Sequence, residues 1–164
     1  MMPDDDKSLM ARPAVAGLRR AESGVLAWVL AGQAGMHGLH LSMNGHLAAD
    51  WPHLACLTGL RLVGDQWQGD LRADVAEPLP FVDEAFRVVV LEHVLEWTVH
   101  AAPLLEEAAR VLAVDGALVV TGFHPFSPWL PWLLCRRRPR PMLTAPGWIR
   151  QRLAMHGLDT MQVQ

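Results

Sequence analysis

Residues 86–121 read FRVVVLEHVLEWTVHAAPLLEEAARVLAVDGALVVT, and this stretch decides the fold. The run Phe86-Arg87-Val88-Val89-Val90-Leu91 is β-branched with little alternation, the pattern of a parallel strand covered on both faces. Pro103 suits the first turn of a helix, where its missing N–H would have no partner anyway. Leu104, Leu105, Ala108, Val111 and Leu112 then form one apolar stripe, with Glu106 and Arg110 expected to pair four residues apart on the wet side. Asp115-Gly116 offers the left-handed position that stops a helix, and Ala117-Leu118-Val119-Val120-Thr121 reads as the next buried strand. Strand, helix, strand predicts a right-handed crossover in a parallel sheet. The class is α/β.

Working outward, the upstream chain is less regular. Residues 1–12 read as a flexible polar leader and 13–164 as a single domain. A helix is expected from Pro13 to Leu30, stopped by Gly32 and Gly35. Residues 36–43 read as a strand closing in a turn at Asn44-Gly45, and 46–58 as a helix that Pro52 interrupts. Leu60–Val63 is a candidate strand ending at Gly64-Asp65, and Leu71–Asp74 another, before a loop holding Pro78 and Pro80. Downstream, residues 123–147 form a long loop rich in Pro and Trp, expected to be a lid or substrate loop. A last helix over 148–156, a stop at Gly157 and a strand over Leu158–Val163 complete the expectation.

Hydrophobic residues make up 51% of the 164 and charged residues 19%, which describes a globular chain and not a disordered one. A formal net charge of −3 argues against a generic nucleic-acid binder. Two cysteines, Cys56 and Cys135, form neither a disulfide framework nor a CxxC pair, so a reducing, cytoplasmic setting is expected. The opening MMPDDDKSLM has no apolar core and does not read as a signal peptide. No stretch reaches the roughly 18 apolar residues of a membrane span, so a soluble protein is expected.

Residues 74–124 resemble the second half of a class I S-adenosylmethionine-dependent methyltransferase of the type 11 kind. The resemblance rests on Asp74 followed by Leu79-Pro80-Phe81, Asp83 and Phe86, matching D-x(4–5)-LPF-x-D-x-x-F. It continues through Glu92-His93-Val94-Leu95-Glu96-Trp97, then Glu107-Ala108-Ala109-Arg110-Val111-Leu112 and Asp115-Gly116-Ala117-Leu118-Val119-Val120, where the family has E-x-x-RVL-x-x-GG-x-L. Gly122-Phe123-His124-Pro125 is similar to the Gly-Phe-Asn-Pro that ends this strand in a small bacterial subgroup. The resemblance implies a three-layer αβα Rossmann-like sheet of about six mostly parallel strands, with the final antiparallel strand missing or altered. It implies S-adenosylmethionine as cofactor. Asp74, at the end of the family's third strand, would accept from the adenine amino group, and the Val75 backbone N–H would read a ring nitrogen. Leu91 and Glu92 would lie beside the methionine portion, in keeping with ligands binding beyond the carboxyl ends of open α/β sheets. Asp65, 20 positions after Gly45, would hold the ribose hydroxyls. The family's G-x-G-x-G loop is reduced here to Gly45, with Met43 adding bulk nearby, and the chain stops at Gln164 before the family's closing hairpin.

Alternative readings stand beside these. Asp65, Asp74 and Asp83 are also ordinary turn formers, and Glu92 and His93 also suit a helix start. His124 is a candidate general base, or a loop residue ahead of Pro125. His93, Trp97, Trp129 and Trp132 are expected to line the substrate side. Histidines 37, 40, 46 and 53 match no compact ligand spacing, so no metal is expected, and Ser42 lacks a nucleophile elbow. Trp129 and Trp132 precede Arg136, Arg137, Arg138 and Arg140, a combination suited to anionic lipid or phosphate as well as to a lid with a solvated basic tip. The expected activity is methyl transfer to a small, apolar acceptor. A non-catalytic methyltransferase-like binding subunit and a peripheral membrane protein are the alternatives. An open sheet edge would favour a homodimer.

Overall fold

The computed structural model describes residues 24, 26, 37–43, 54–123 and 142–159. Strands β1 (His37–Ser42), β2 (Cys56–Val63), β3 (Gln66–Gly69), β4 (Arg72–Asp74), β5 (Phe86–Glu92) and β6 (Leu112–Thr121) join in one sheet, with helices α1 (Ala101–Val111) and α2 (Pro146–Met155). The order across the sheet is β4-β3-β2-β1-β5-β6. Strands β2, β1, β5 and β6 are mutually parallel, while β3 runs antiparallel to both β2 and β4. The sheet is therefore the expected α/β type, mostly parallel, with one reversed strand.

Burial explains why these segments pair. In β5, Phe86 and Val88–Leu91 are buried and only Arg87 and Glu92 are partly open, as a strand covered on both faces requires. Leu39, Leu41, Val89 and Leu91 pack in one core with Leu104, Leu105, Ala108 and Val111 of α1, and Trp148, Ile149 and Leu153 of α2 lie against it. On the other face, Val88 and Val90 pack with Leu26, itself helical. Helical residues thus flank both faces of the sheet. No side chain caps α1 at His100. Its four buried apolar residues, at about 2 kcal/mol each, outweigh a missing cap of about 1 kcal/mol.

Several expectations need correction. Cys56–Thr58 is strand and not the end of a helix, because it pairs in parallel register with His37–Leu39. The sequence pattern does not reveal β3. Its polar residues hide the strand pattern, yet Trp67 is 1% exposed and opposes Leu62. α1 ends at Val111, and β6 begins at Leu112 instead of following an Asp115-Gly116 stop. Asp115, at φ 58°, lies within a bulge: β6 takes five steps from Leu112 to Ala117 while β5 takes two from Phe86 to Val88. The Arg87 guanidinium donates to Val114 O at 2.9 Å across this bulge. Glu106 pairs with Arg152 of α2 at 2.9 Å, not with Arg110. Arg110 turns instead toward the 79–83 loop, where carbonyls and a second carboxylate offer it more bonds. α2 starts at Pro146, two residues early, and stops at Gly157 as expected. Leu158 and Asp159 are not strand, and the rest of that expected strand lies outside the described residues.

Candidate functional site

The parallel strands end together. β1 closes at Ser42, β5 at Glu92 and β6 at Thr121, with Ser42 beside Glu92 and Glu92 beside Thr121 in register. The Met43 N–H donates to Glu92 O at 3.1 Å, and Met43 packs, partly buried, against the core. The His93 N–H donates to Thr121 O at 3.1 Å, which ties the segment leaving β5 to the end of β6.

Two histidine–carboxylate pairs lie at this edge. His40 Nε2 is 2.7 Å from Glu92 Oε2, a diagonal contact between β1 and β5, with the His40 side chain 1% and Glu92 15% exposed. His93 Nδ1 is 3.7 Å from Glu96 Oε1. His93 takes a left-handed conformation at φ 52°, which costs a non-glycine residue about 1 kcal/mol. That conformation turns the chain back over β6 and lays the imidazole against Phe123, with ring centroids 4.7 Å apart. Glu96 is buried, and its Oε1 accepts the Phe123 N–H at 2.6 Å. Gly122 makes this possible, since a Cβ there would lie 2.5 Å from the same oxygen.

The residues expected at the adenine end lie elsewhere along the edge. Asp65 sits exposed in the turn between β2 and β3, and its backbone carbonyl accepts the Val75 N–H at 3.1 Å. Asp74 is exposed, and its Oδ1 accepts the Ala76 N–H at 2.8 Å, an Asx-type turn. Because β3 is inserted, Asp74 closes the fourth strand of the chain and not the third. Three strand spacings separate β4 from β1, roughly 14 Å. Leu91, Glu92 and His93 are brought together at the sheet's end, and Trp97 is half-buried against the core beside them. Gly45, His124, Trp129, Trp132, Arg136, Arg137, Arg138 and Arg140 lie outside the described residues. Sequence reasoning missed His40, Glu96, Thr121 and Phe123 as neighbours. A histidine inside an otherwise apolar strand and a Glu three residues after His93 were the available signals.

A separate polar cluster holds the loop that feeds β5. Arg110 donates to Glu107 Oε2 at 2.7 Å, to Asp83 Oδ1 at 2.6 Å, and to the carbonyls of Leu79 and Phe81. Glu107 also accepts the Leu79 N–H at 2.8 Å. The Arg110 hydrogen bond pulls the Glu107 carboxyl below its ordinary value, and Glu107 in turn raises that of Arg110. Phe81 meets Phe86 edge-to-face at 4.8 Å. This is a clamp, not a reaction centre. Among the described residues no three His, Cys, Asp or Glu side chains converge as a metal site, and no helix is long and apolar enough to cross a membrane.

Residues 58–120 match the family model of a methyltransferase domain. The match takes in most of β2, all of β3, β4, β5 and α1, and most of β6, and it is consistent with the class I, S-adenosylmethionine-dependent kind. The chain is also similar to an uncharacterized protein of Escherichia coli (strain K12), YafS, at 40% identity over 94 residues. The aligned part is 56% of this chain and 39% of that protein, so the chain spans well under half of its relative's length.

The residues at the strand ends match a cofactor of that kind only in part. Glu92 puts a carboxylate at the end of β5, and such a group suits a ligand carrying sulfonium and ammonium charges. The adenine end fits less fully. The Val75 N–H already has Asp65 O as its acceptor, leaving the outer oxygen of Asp74 as the acceptor for a purine amine.

Proposed function

We propose that this protein is an S-adenosylmethionine-dependent methyltransferase, acting on a small acceptor at the carboxyl ends of β1, β5 and β6. The observation that carries the reading is the His40–Glu92 pair at the end of the family-matching strand β5, on the edge where open α/β sheets take their ligands. When bound there, the cofactor supplies an electrophilic methyl group. Glu92, close to Met43 and Ser42, would hold its methionine portion, with His40 fixing the orientation of the carboxylate. Asp74 would take the adenine amino group. Transfer of a methyl group is an in-line displacement, so the chain's chief contributions are alignment and exclusion of water. A reducing, cytoplasmic setting accords with the two cysteines.

A second reading is favoured by one observation. The Val75 N–H is engaged within the hairpin, as suits a methyltransferase-like domain that binds partners and no longer turns over. Calorimetric titration with S-adenosylmethionine and S-adenosylhomocysteine separates the two. The first reading expects saturable binding that weakens about tenfold in Glu92→Ala, roughly 1.4 kcal/mol. Neither heat nor a thermal shift at millimolar ligand leaves the second.

A further inference from the structure

Glu96 holds two chain positions that lie far apart in sequence. Its carboxylate Oε1 accepts the Phe123 N–H at 2.6 Å, and its backbone carbonyl accepts the Met142 N–H at 2.7 Å. Phe123 follows the end of β6, and Met142 leads through Ala145 into α2. Glu96 itself sits in the turn that leaves β5, closed by the Trp97 N–H on Val94 O at 3.1 Å. One residue therefore joins the exits of β5 and β6 to the entry of α2. That helix has little else to seat it, since none of its residues is buried. The Glu96 side chain is 3% exposed, so its bond to Phe123 forms where water competes little.

These bonds restrain a strained neighbour. His93, at φ 52°, directly follows Glu92, and a non-glycine residue keeps such a conformation only where its surroundings over-determine it. Three contacts do so here: the His93 N–H on Thr121 O, the imidazole against Phe123, and the Phe123 bond to Glu96. Glu92 lies within the same restrained edge, its carbonyl accepting the Met43 N–H and its carboxylate meeting His40. Among the described residues Glu96 Oε2 has no hydrogen-bond partner, which costs about 1–3 kcal/mol, so stability alone does not account for a carboxylate at this position. We infer that Glu96 is a positioning residue: it clasps the exits of β5 and β6 to the entry of α2, and so fixes Glu92 for its ligand without touching that ligand. The role deepens the proposed function and rests on it for the ligand. Without the clasp, binding must first reorder the turn after β5, which lowers affinity.

The experiment reads amide hydrogen exchange in the 15N-labelled full chain, well below the melting temperature of every variant. In Glu96→Ala the Phe123 amide is expected to exchange about tenfold faster. The Met142 amide keeps its main-chain acceptor in that variant, yet is expected to speed up about fivefold, because one clasp holds both. Glu96→Gln retains an oxygen for the Phe123 N–H and is expected to restore both rates. Titration with S-adenosylhomocysteine then reads the positioning: about fivefold weaker binding in Glu96→Ala, and wild-type affinity in Glu96→Gln and in Arg110→Ala, which is destabilised at a separate cluster. If Glu96→Ala does not fold, Gly122→Ala, whose Cβ would displace the same oxygen, is read in its place. A Met142 amide exchanging at the wild-type rate, or a Phe123 amide not restored by Gln, overturns the clasp. Unchanged affinity in Glu96→Ala, or an equal loss in Arg110→Ala, overturns the positioning role. A loss in Glu96→Gln as large as in Glu96→Ala also overturns it and assigns Glu96 to direct contact through its charge. Failure of wild type to bind S-adenosylhomocysteine overturns the methyl-transfer reading and the ligand role with it, while the exchange rates still decide the clasp.

Discussion

Gly69 shows how strongly one backbone contact constrains this sheet. A Cβ at that position would enter the van der Waals envelope of Gly59 O, a backbone atom that cannot move aside alone. Asp70 completes the contact: its N–H donates to Gly59 O at 3.1 Å, and its Oδ2 accepts the Gly59 N–H at 2.8 Å. Gly69→Ala should therefore cost more than about 2 kcal/mol, read as a lowered denaturant midpoint at unchanged slope. Gly122→Ala presses on a side-chain oxygen and not on backbone. It should cost less in stability while removing the Phe123–Glu96 bond, seen as faster hydrogen exchange at the Phe123 amide. At this scale the sequence was legible only in part. It named Asp74 and Asp65, but the bonds that engage Val75 and Ala76 depend on how the hairpin folds back, which no spacing of residues reveals.

Among the elements, the clamp between α1 and the 79–83 loop explains why two separated sequence motifs occur together. Leu79-Pro80-Phe81, Asp83 and Phe86 form one half of it, and Glu107 and Arg110 the other. Arg110→Ala leaves Glu107 and two loop carbonyls without their donor, at about 3 kcal/mol. Asp83→Ala removes a bond from a carboxylate that is 76% exposed, so its cost should stay below about 1 kcal/mol. Chemical denaturation of both variants gives the comparison. The pH dependence has a definite sign. Glu107 titrates lower in the folded state than in the unfolded chain, so its contribution is complete above the ordinary glutamate value, near pH 4, and is lost as pH falls through the folded value. A stability-against-pH curve should be flatter below about pH 4 in Arg110→Ala than in wild type. The motif was legible in the sequence as a resemblance. Its physical meaning, a charged clamp, required the helix and loop to be seen in contact.

In the whole molecule, the four parallel strands and the β3–β4 hairpin differ in how firmly they are held. β1 and β5 lie inside the sheet, with Leu39, Leu41 and Val88–Leu91 fully buried, whereas β4 is a three-residue edge strand. Hydrogen exchange should find the β1 and β5 amides opening near the global unfolding free energy and the β4 amides well below it. Equal protection in both regions would show that the hairpin belongs to the same cooperative unit. The sequence by itself determined the parallel core, because an unbroken run such as Val88-Val89-Val90-Leu91 is stable only with both faces covered. It also placed the helix that covers one of those faces, through the 3.6-residue spacing of Leu104, Leu105, Ala108 and Val111. Only the tertiary structure decided that Gln66–Gly69 enters the sheet in reverse, that β6 bulges at Asp115, and that His40, Glu92, His93 and Glu96 share one edge. Periodicity along a chain reports which side chains leave water. Contacts between residues 52 positions apart are set by strand order and register, which the local pattern does not encode.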